Sequence, residues 1–310
     1  MIYSRIRGGL GNQLFQYSVA RSLADQLGVN LGLDIREYNN SSKFKMGLSN
    51  FNIRADLNPD GLIKHKKDGK LSYVLDNLLG KHKHVFYERF LSFDNHVLTK
   101  PDGTYLKGYW QSEKYFNDKE KIMSDLQIIK SQNKTNLNVK AKIEKCISIS
   151  LHIRRGDYVS NTAHGTCDLS YYRKAVEYFI NLYGKNLEIF AFSDDPSWVK
   201  NNLKLPVNIN FIMHNSSDNN YEDLRLMTCC KHNIIANSSF SWWGAWLNKN
   251  PNKIIIAPKL WYANQKIENR DIECNKIYII KYRILYWTSS PKLFKYCFIT
   301  GFKDGVFNLK

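Results

Sequence analysis

The sequence contains few negatively charged residues. Its 310 residues carry 28 acidic against 45 basic side chains, so the formal net charge is +17. An acid-poor chain favours acidic partners such as phosphorylated small molecules, an anionic membrane surface or nucleic acid. The basic residues are scattered rather than gathered into one tract, which argues against nucleic acid.

Metal-ligand spacing, long apolar runs and a signal sequence are also absent. The six cysteines show neither a metal-site pattern nor a secreted disulfide pattern, so a reducing cytosol is the expected compartment. No apolar run reaches the length of a membrane span, and the first residues lack the apolar core of a signal peptide. We therefore expect a cytoplasmic protein, able to lie peripherally on the inner face of the cytoplasmic membrane through its charge.

The most informative stretch lies near the middle of the chain. Alternating apolar residues over 147–153 predict a strand and place His152 and Arg154 on the same side. Arg155 and Asp157 follow directly at the strand exit. Ligands of open α/β sheets bind outside the carboxyl ends of strands, and the planar guanidinium suits phosphate oxygens. The alternative is a surface loop whose arginine and aspartate form a structural ion pair.

The N-terminal region reads as a β-loop-α-β unit, with strands at 2–6 and 29–35 around a helix that ends before Gly28. Gly9 and Gly11 open the helix with G-x-G spacing, where backbone N–H groups can approach an anion. Position 14 is leucine, so the full dinucleotide fingerprint is missing. Asp34 could bind a ribose, but we favour a structural role in the turn after the strand.

An aromatic and amide pair, Trp110 and Gln111, follows a predicted strand at 104–109. Aromatic faces stack on sugar rings, and amides bind hydroxyl groups. A buried aromatic cluster explains the same residues equally well.

The second half of the chain alternates between strands and helices. Strands are predicted at 187–192, 208–213, 233–236 and 253–257, and helices at 171–183 and 221–232. Repeated β-α units predict a parallel, doubly wound sheet.

Polar residues follow three of these strands, after 153, after 192 and after 236. Asp195 followed by proline reads as a helix N-cap, which leaves Asp194 freer to meet a ligand. Ser238 and Ser239 lie between a strand and a helix, where hydroxyls suit phosphate, although Ser239 as a plain N-cap is the alternative. The convergence on one sheet edge predicts a ligand site.

A polar, basic stretch at 130–145 suggests a domain boundary. We therefore predict an N-terminal domain over 1–145, a C-terminal domain over 146–276 and a tail over 277–310. The tail is rich in aromatic residues and lysine, so it either packs back on the first domain or lies on an anionic membrane.

Five motifs in order, at 8–16, 108–113, 152–158, 192–195 and 236–244, together make the chain resemble the bacterial α-1,2-fucosyltransferases. These are inverting, GDP-fucose-dependent enzymes. The resemblance implies a GT-B-like α/β fold, in which two Rossmann-like, doubly wound domains face each other across a cleft. The donor would bind the C-terminal domain and the acceptor mainly the N-terminal one, and no metal or other cofactor would be required.

The resemblance also implies roles for single residues. His152 and Asp194 would contact the guanine or ribose, and Arg154, aided by Arg155, would bind the β-phosphate. The remaining donor-side residues are Asn237, Ser238 and Ser239 from the C-terminal domain and Gly9, Gly11 and Asn12 from the opposite one. Trp110 and Gln111 would lie on the acceptor side.

Arg154 and Asp157 are the expected catalytic residues, with Asp157 as the candidate base. Late deprotonation by phosphate or water is the alternative.

The expected reaction moves L-fucose to the 2-hydroxyl of a terminal β-galactoside, in an oligosaccharide or a lipid-linked glycan of an O-antigen or similar surface polymer. The sequence leaves two alternatives open. One is the same fold with another acceptor or linkage, and the other is a non-catalytic protein that binds a nucleotide or a glycan.

Overall fold

The computed structural model describes residues 1–39, 44–60, 85–263 and the backbone of a strand at 277–280. The helices and strands, numbered in chain order, are β1 (Ile2–Arg5), α1 (Leu10–Leu27), β2 (Leu31–Asp34), β3 (Asp56–Leu57), β4 (Val85–Tyr87), β5 (Tyr105–Lys107), α2 (Lys119–Asp125), α3 (Lys134–Glu144), β6 (Ser148–Ile153), α4 (Leu169–Tyr183), β7 (Glu188–Ser193), α5 (Pro196–Asn202), β8 (Asn208–Phe211), α6 (Asn220–Cys229), β9 (His232–Ile234), α7 (Ser239–Trp246), β10 (Ile255–Pro258) and β11 (Ile277–Ile280). Both sheets built from these strands are parallel, which confirms the α/β class.

The chain forms two compact units, and the first of them covers Met1–Lys130. The second begins at Ser131, so helix α3 belongs to it and not to the first domain as the sequence suggested. The reason lies in its apolar face: Ile143 packs in one buried cluster with Phe190 of β7 and Leu226 of α6. The polar composition of α3 hides this contact in the sequence.

The sheet of the first unit has the order β3-β2-β1-β5-β4, and every neighbouring pair is parallel. Gly9 is the N-cap of helix α1, and Gly28 ends the helix in the left-handed conformation at φ 65°. A side chain would be strained there, so the predicted glycine stop is confirmed.

The sheet of the second unit has the order β11-β10-β9-β6-β7-β8, and its pairs are parallel as well. Alternate residues of β7 enter different cores. Ile189 packs in a cluster with Phe179 of α4 and Val199 of α5, whereas Phe190 packs with Leu226 of α6. Helices therefore cover both faces, as the doubly wound prediction requires.

All six residues of β6 are buried, although its sequence alternates between apolar and polar residues. The small polar side chains are satisfied within the sheet rather than by water. Ser150 accepts a hydrogen bond of 2.7 Å from the Asn233 amide, and Ser148 accepts one of 3.1 Å from the Lys231 backbone. Because both faces of a doubly wound sheet are covered, alternation here does not mean that one face is wet.

The boundary between α6 and β9 differs from the prediction. The helical periodicity runs to His232 in the sequence, but α6 ends at Cys229 and His232 already begins the strand. The backbone N–H of Lys231 donates to the Ser148 carbonyl at 2.9 Å. Pairing with the central strand thus ends the helix before its apolar pattern ends.

Strand β11 pairs with β10, so the second sheet extends into the segment that the sequence assigned to the tail. The aromatic and lysine residues beyond 280 lie outside the described residues, and neither interpretation of them is tested. Within the described part of the chain, no helix is both long and apolar enough to cross a membrane.

The hydroxyl of Tyr171 offers a test of how helix α4 is fixed to the sheet. It donates to the carbonyl oxygens of Ile235 and Ile256 at 2.7 and 3.0 Å. We expect Tyr171→Phe to lower the free energy of unfolding in urea by roughly 1–2 kcal/mol, because a buried carbonyl loses a partner. The matched change Tyr183→Phe, at the end of the same helix, should cost roughly 0.5 kcal/mol or less. Equal losses in the two variants would contradict this role.

Candidate functional site

The polar ends of three neighbouring strands meet at one edge of the second sheet. Strand β6 lies between β7 and β9, and all three run parallel. The predicted convergence of these strand ends is therefore confirmed. Strands β6 and β9 are neighbours although β7 and β8 lie between them in the chain, so the strand order reverses here. Open α/β sheets bind their ligands at such a point.

The guanidinium of Arg154 lies between two carboxylates at this edge. Its Nη2 donates to Oδ1 of Asp157 at 2.6 Å, and its Nη1 lies 3.1 Å from Oδ2 of Asp194. The central carbon of the guanidinium is 5.1 Å from the centre of the Tyr158 ring. The structural ion pair that the sequence left open is therefore present. The side chain is still 23% exposed, so it remains accessible to an anion from solvent.

Asp194 is fully engaged within this loop rather than unpaired. Its Oδ1 accepts the backbone N–H of Arg155 at 2.8 Å, while its other oxygen faces Arg154. A Cβ on Gly156 would lie 2.3 Å from the Asp194 carboxylate. Glycine at this position is therefore needed for the carboxylate to approach the backbone closely.

Arg155 is held against helix α5. Its Nε lies 3.3 Å from Oδ2 of Asp195, and its guanidinium carbon is 3.5 Å from the centre of the Trp198 ring. Asp195 also accepts the Trp198 backbone N–H as the N-cap of α5, with Pro196 directly after it, as predicted. The two neighbouring arginines therefore have separate sets of partners.

His152 is a neutral, buried ring. Desolvation, reinforced by the positive charge of Arg154, lowers the pKa of His152 to about 3. Its ring lies 5.5 Å from that of Phe240, and its Nδ1 has no hydrogen-bond partner within the described structure. A buried polar atom without a partner is costly, so this nitrogen is a strong candidate for a ligand contact.

The buried side chain of Asn237 joins two loops, and its expected contact with the donor stays a prediction. Its amide donates to the carbonyl oxygens of His164, Gly165 and Trp261 at 3.1, 3.2 and 3.1 Å. Its own oxygen accepts from the Cys167 thiol at 3.4 Å. Asn237 thereby ties the loop after β6 to the segment after β10.

The serines after β9 form the start of helix α7. Ser238 is the N-cap, but its hydroxyl makes no capping hydrogen bond, and Ser239 is the first helical residue. The Ser241 hydroxyl instead accepts the backbone N–H of Ala236 at 2.9 Å and closes the turn. The first turn of α7, whose N–H groups lack helical partners, therefore begins beside the strand reversal.

In the first unit, the glycine loop and the 108–111 segment are joined by side chains. Gln111 donates from Nε2 to Oδ1 of Asn12 at 2.8 Å. Gly8 has φ 75° and lies directly before the N-cap Gly9. Gly11 lies in the first turn of α1.

The sequence allowed two interpretations each for Trp110 and Asp34, and the structure shows the surroundings of both side chains. Trp110 is fully buried, stacked on Phe86 at 6.0 Å and edge-on to Tyr115 at 5.8 Å. It therefore offers no open ring face to a sugar, and the structure shows the buried aromatic cluster that the sequence left as the alternative. Asp34 forms a two-point ion pair with Arg36 and accepts from the Tyr105 hydroxyl, so its structural role is confirmed.

Sequence reasoning missed several residues of the site. Trp198 has no local signal, because its partner Arg155 lies on another element. The rings of Tyr158 and His164 stack at 4.6 Å across the loop after β6. Gly156 lies within the 152–158 motif, but the need for glycine there depends on Asp194, which is distant in the chain. Among the residues that the structure describes, no three His, Cys, Asp or Glu side chains are grouped as metal ligands would be.

Comparison with known proteins assigns the class. The sequence model of glycosyl transferase family 11 matches residues 63–281. The chain is therefore a glycosyltransferase. It belongs to family 11, which confirms the resemblance drawn from the five motifs.

Three relatives illustrate the match. The O-antigen biosynthesis glycosyltransferase WbnK of Escherichia coli is 32% identical over 288 residues, which cover 84% of this chain and 95% of the relative. An alpha-1,2-colitosyltransferase of Escherichia coli is 33% identical over 295 residues, covering 87% and 96% of the two chains. A galactoside 2-alpha-L-fucosyltransferase of Caenorhabditis elegans is 26% identical over 156 residues, covering 47% and 43%.

The buried state of His152 predicts a pH dependence of stability. Its folded pKa of about 3 lies below the ordinary value of 6.5. Below about pH 6.5 the unfolded chain therefore binds a proton that the folded chain does not, and stability falls on acidification. We expect the free energy of unfolding of the wild type to fall more steeply than that of His152→Gln, by roughly 1 kcal/mol per pH unit between about pH 6 and pH 4.

Urea titrations of both proteins over this pH range measure the difference between their free energies of unfolding. The other histidines are common to both proteins, so their contributions cancel in this difference. Parallel curves would show that His152 is not held neutral by burial.

Proposed function

We propose that the protein is an inverting α-1,2-fucosyltransferase of O-antigen or similar surface-glycan synthesis. It would move L-fucose from GDP-fucose to the 2-hydroxyl of a terminal β-galactoside. The observation that carries this proposal is the accessible guanidinium of Arg154 at the strand reversal between β6 and β9. The relatives named for O-antigen synthesis and for galactoside 2-fucosyl transfer support it.

Binding of the donor diphosphate to Arg154 requires an exchange of anions. Around the site, the two arginines 154 and 155 are matched by the three carboxylates Asp157, Asp194 and Asp195. A diphosphate therefore meets no excess of positive charge from these side chains. We propose that it replaces Asp157 on Arg154, since Asp194 is also fixed by the Arg155 backbone. The first turn of α7, with Ser238 and Ser239, would supply further donors to the phosphates.

The guanosine would lie beside His152 and Asp194. Because the pKa of His152 is about 3, its ring is neutral at working pH and contributes a hydrogen bond rather than a charge. Its Nδ1, which lacks a partner within the described structure, is the atom available for this contact.

Catalysis then follows from charge development. As the C1–O bond of fucose breaks, negative charge grows on the departing GDP and the sugar gains oxocarbenium character. Arg154 stabilises this charge more strongly in the transition state than in the ground state, which accelerates the reaction. The acceptor hydroxyl attacks the opposite face, so a β-linked donor gives an α-linked product.

The proton of the acceptor hydroxyl needs a destination. The exchange on Arg154 releases one oxygen of Asp157 from its 2.6 Å contact, and we propose this carboxylate as the base. Late transfer to phosphate or water is the alternative, and a solvent isotope effect that is lost in Asp157→Asn would favour Asp157.

The two units would face each other across a GT-B-like cleft, with Gly9, Gly11 and Asn12 lining it opposite the donor. No metal would be needed, so activity should persist in a chelator. The net charge of +17 supports a peripheral location at the inner membrane face, near a lipid-linked acceptor.

A second candidate differs in the donor sugar. Colitose is the 3-deoxy counterpart of fucose, and a relative that is 33% identical is named a colitosyltransferase. A site that binds the 3-hydroxyl of fucose would reject colitose strongly, because its buried polar groups would lose their partner. Competition between GDP-fucose and GDP-colitose separates the two donors.

The test of the function is product analysis. Purified protein is incubated with GDP-fucose and a panel of β-galactosides, and the linkage of each product is determined. An α-1,2 product supports the proposal, whereas another linkage indicates the alternative transferase. GDP binding without any transfer would indicate a non-catalytic binding protein.

Arg154→Ala is the decisive substitution for the site. We expect it to lower the turnover number by at least about a thousandfold, because the growing charge on GDP loses its main partner. The thermal unfolding temperature is measured alongside, because the change also leaves Asp157 and Asp194 without their shared partner, and turnover is compared well below it. Arg173→Ala, at an exposed position on α4, removes the same charge elsewhere and should retain wild-type turnover. Near-full activity of Arg154→Ala would overturn the assignment.

A further inference from the structure

The first unit has its own point of strand reversal, and two loops meet there. Strands β1 and β5 are neighbours in its sheet, although β2, β3 and β4 lie between them in the chain. The glycine loop follows β1, and the segment 108–111 follows β5. The rule that makes the strand reversal of the second unit a candidate ligand site applies equally to the space outside these two strand ends.

The segment after β5 contains a strained residue. Trp110 has φ 56°, in the left-handed region that bulky side chains rarely adopt. Such backbone conformations persist only where the surroundings fix them, and they cluster at functional sites. Burial of the indole against Phe86 and Tyr115 supplies part of that fixation.

Glu88, the residue directly after β4, also fixes the backbone conformation of the 108–111 segment. Its Oε2 accepts the backbone N–H of Tyr109 at 2.7 Å, and its Oε1 accepts that of Trp110 at 2.8 Å. A Cβ on Gly108 would lie 2.4 Å from the Glu88 Cβ, so this contact also requires glycine. Desolvation raises the pKa of Glu88, while the two backbone N–H bonds lower it.

The strained turn brings side chains from both loops together. Gln111, directly after Trp110, donates to Asn12 in the first turn of α1 at 2.8 Å. The Tyr109 ring, which is partly exposed, has the Arg7 guanidinium 5.8 Å from its centre. Amide groups beside an aromatic face have the chemistry that recognises sugar hydroxyls and sugar rings.

We propose that Glu88 is a positioning residue for the acceptor: it holds the 108–111 turn so that Tyr109, Gln111 and Asn12 bind the terminal galactoside. The proposal deepens the proposed function and rests on it. Glu88 itself touches backbone only, so its effect on the reaction passes through the turn.

Glu88→Gln is the first test, because the amide can accept one of the two N–H groups but presents a donor to the other. We expect the acceptor KM to rise about tenfold or more, which corresponds to the loss of one charge-assisted hydrogen bond. The KM for GDP-fucose and the Kd for GDP should stay within about twofold of wild type, because the residues proposed to hold the diphosphate and the guanosine, around Arg154 and His152, lie in the second unit. Gly108→Ala should act in the same direction.

Two controls separate positioning from simple stability. Glu120→Gln, at an exposed position on α2, makes the same chemical change and should leave both KM values unchanged. All proteins are assayed well below their thermal unfolding temperatures. A lowered unfolding temperature with an unchanged acceptor KM would overturn the proposal, as would an equal rise in the donor KM. If wild-type protein transfers no sugar to any galactoside, the proposed function fails instead.

Discussion

The ion pairs of Arg154 with Asp157 and Asp194 determine much of the strand-end edge of the second sheet. Asp194 reaches Arg154 only because residue 156 has no side chain, and its second oxygen fixes the Arg155 backbone. With Asp194 committed to this loop, Asp195 serves both as the cap of α5 and as the partner of Arg155. The two adjacent arginines therefore have different surroundings. Arg154 stays partly open to ligands, while Arg155 lies against Trp198.

The two sheets share one topological feature, a point of strand reversal, but carry different side chains there. In each, the first strand of the unit lies next to a strand that comes much later in the chain, and a loop with polar side chains follows each of these strands. The loops of the second unit carry charged groups, the arginines and aspartates around Arg154. Those of the first unit bring together the amides of Gln111 and Asn12 and the Tyr109 ring, with Arg7 as the charged group beside that ring. Charge suits a nucleotide diphosphate, and uncharged hydrogen-bonding groups suit a sugar.

Local features of this fold are readable in the sequence, whereas partners distant in the chain are not. The periodicity of β6, the stop at Gly28 and the cap at Asp195 each depend on a few consecutive residues, and each is found as predicted. Asn237 and Trp110 illustrate the limit. Both sit in motifs that suggested ligand contact, yet tertiary packing turns the first into a brace and buries the second. The end of α6 shows the same effect, because pairing with β6 overrides its apolar periodicity.

The carboxylates around Arg154 also affect which anions can bind to it. A lone arginine in a cleft would attract any anion, and its position would vary with solvent. Held by Asp157 and Asp194, the guanidinium is fixed in advance and its charge is compensated until a competing anion arrives. Under the proposed function, a diphosphate with two negative charges and several oxygens would compete with Asp157 for Arg154 better than an anion of single charge. Under the proposed function, the displaced Asp157 then becomes available to the acceptor at the moment the donor is in place. The same ion pair would thus discriminate between anions and couple donor binding to the presence of a base.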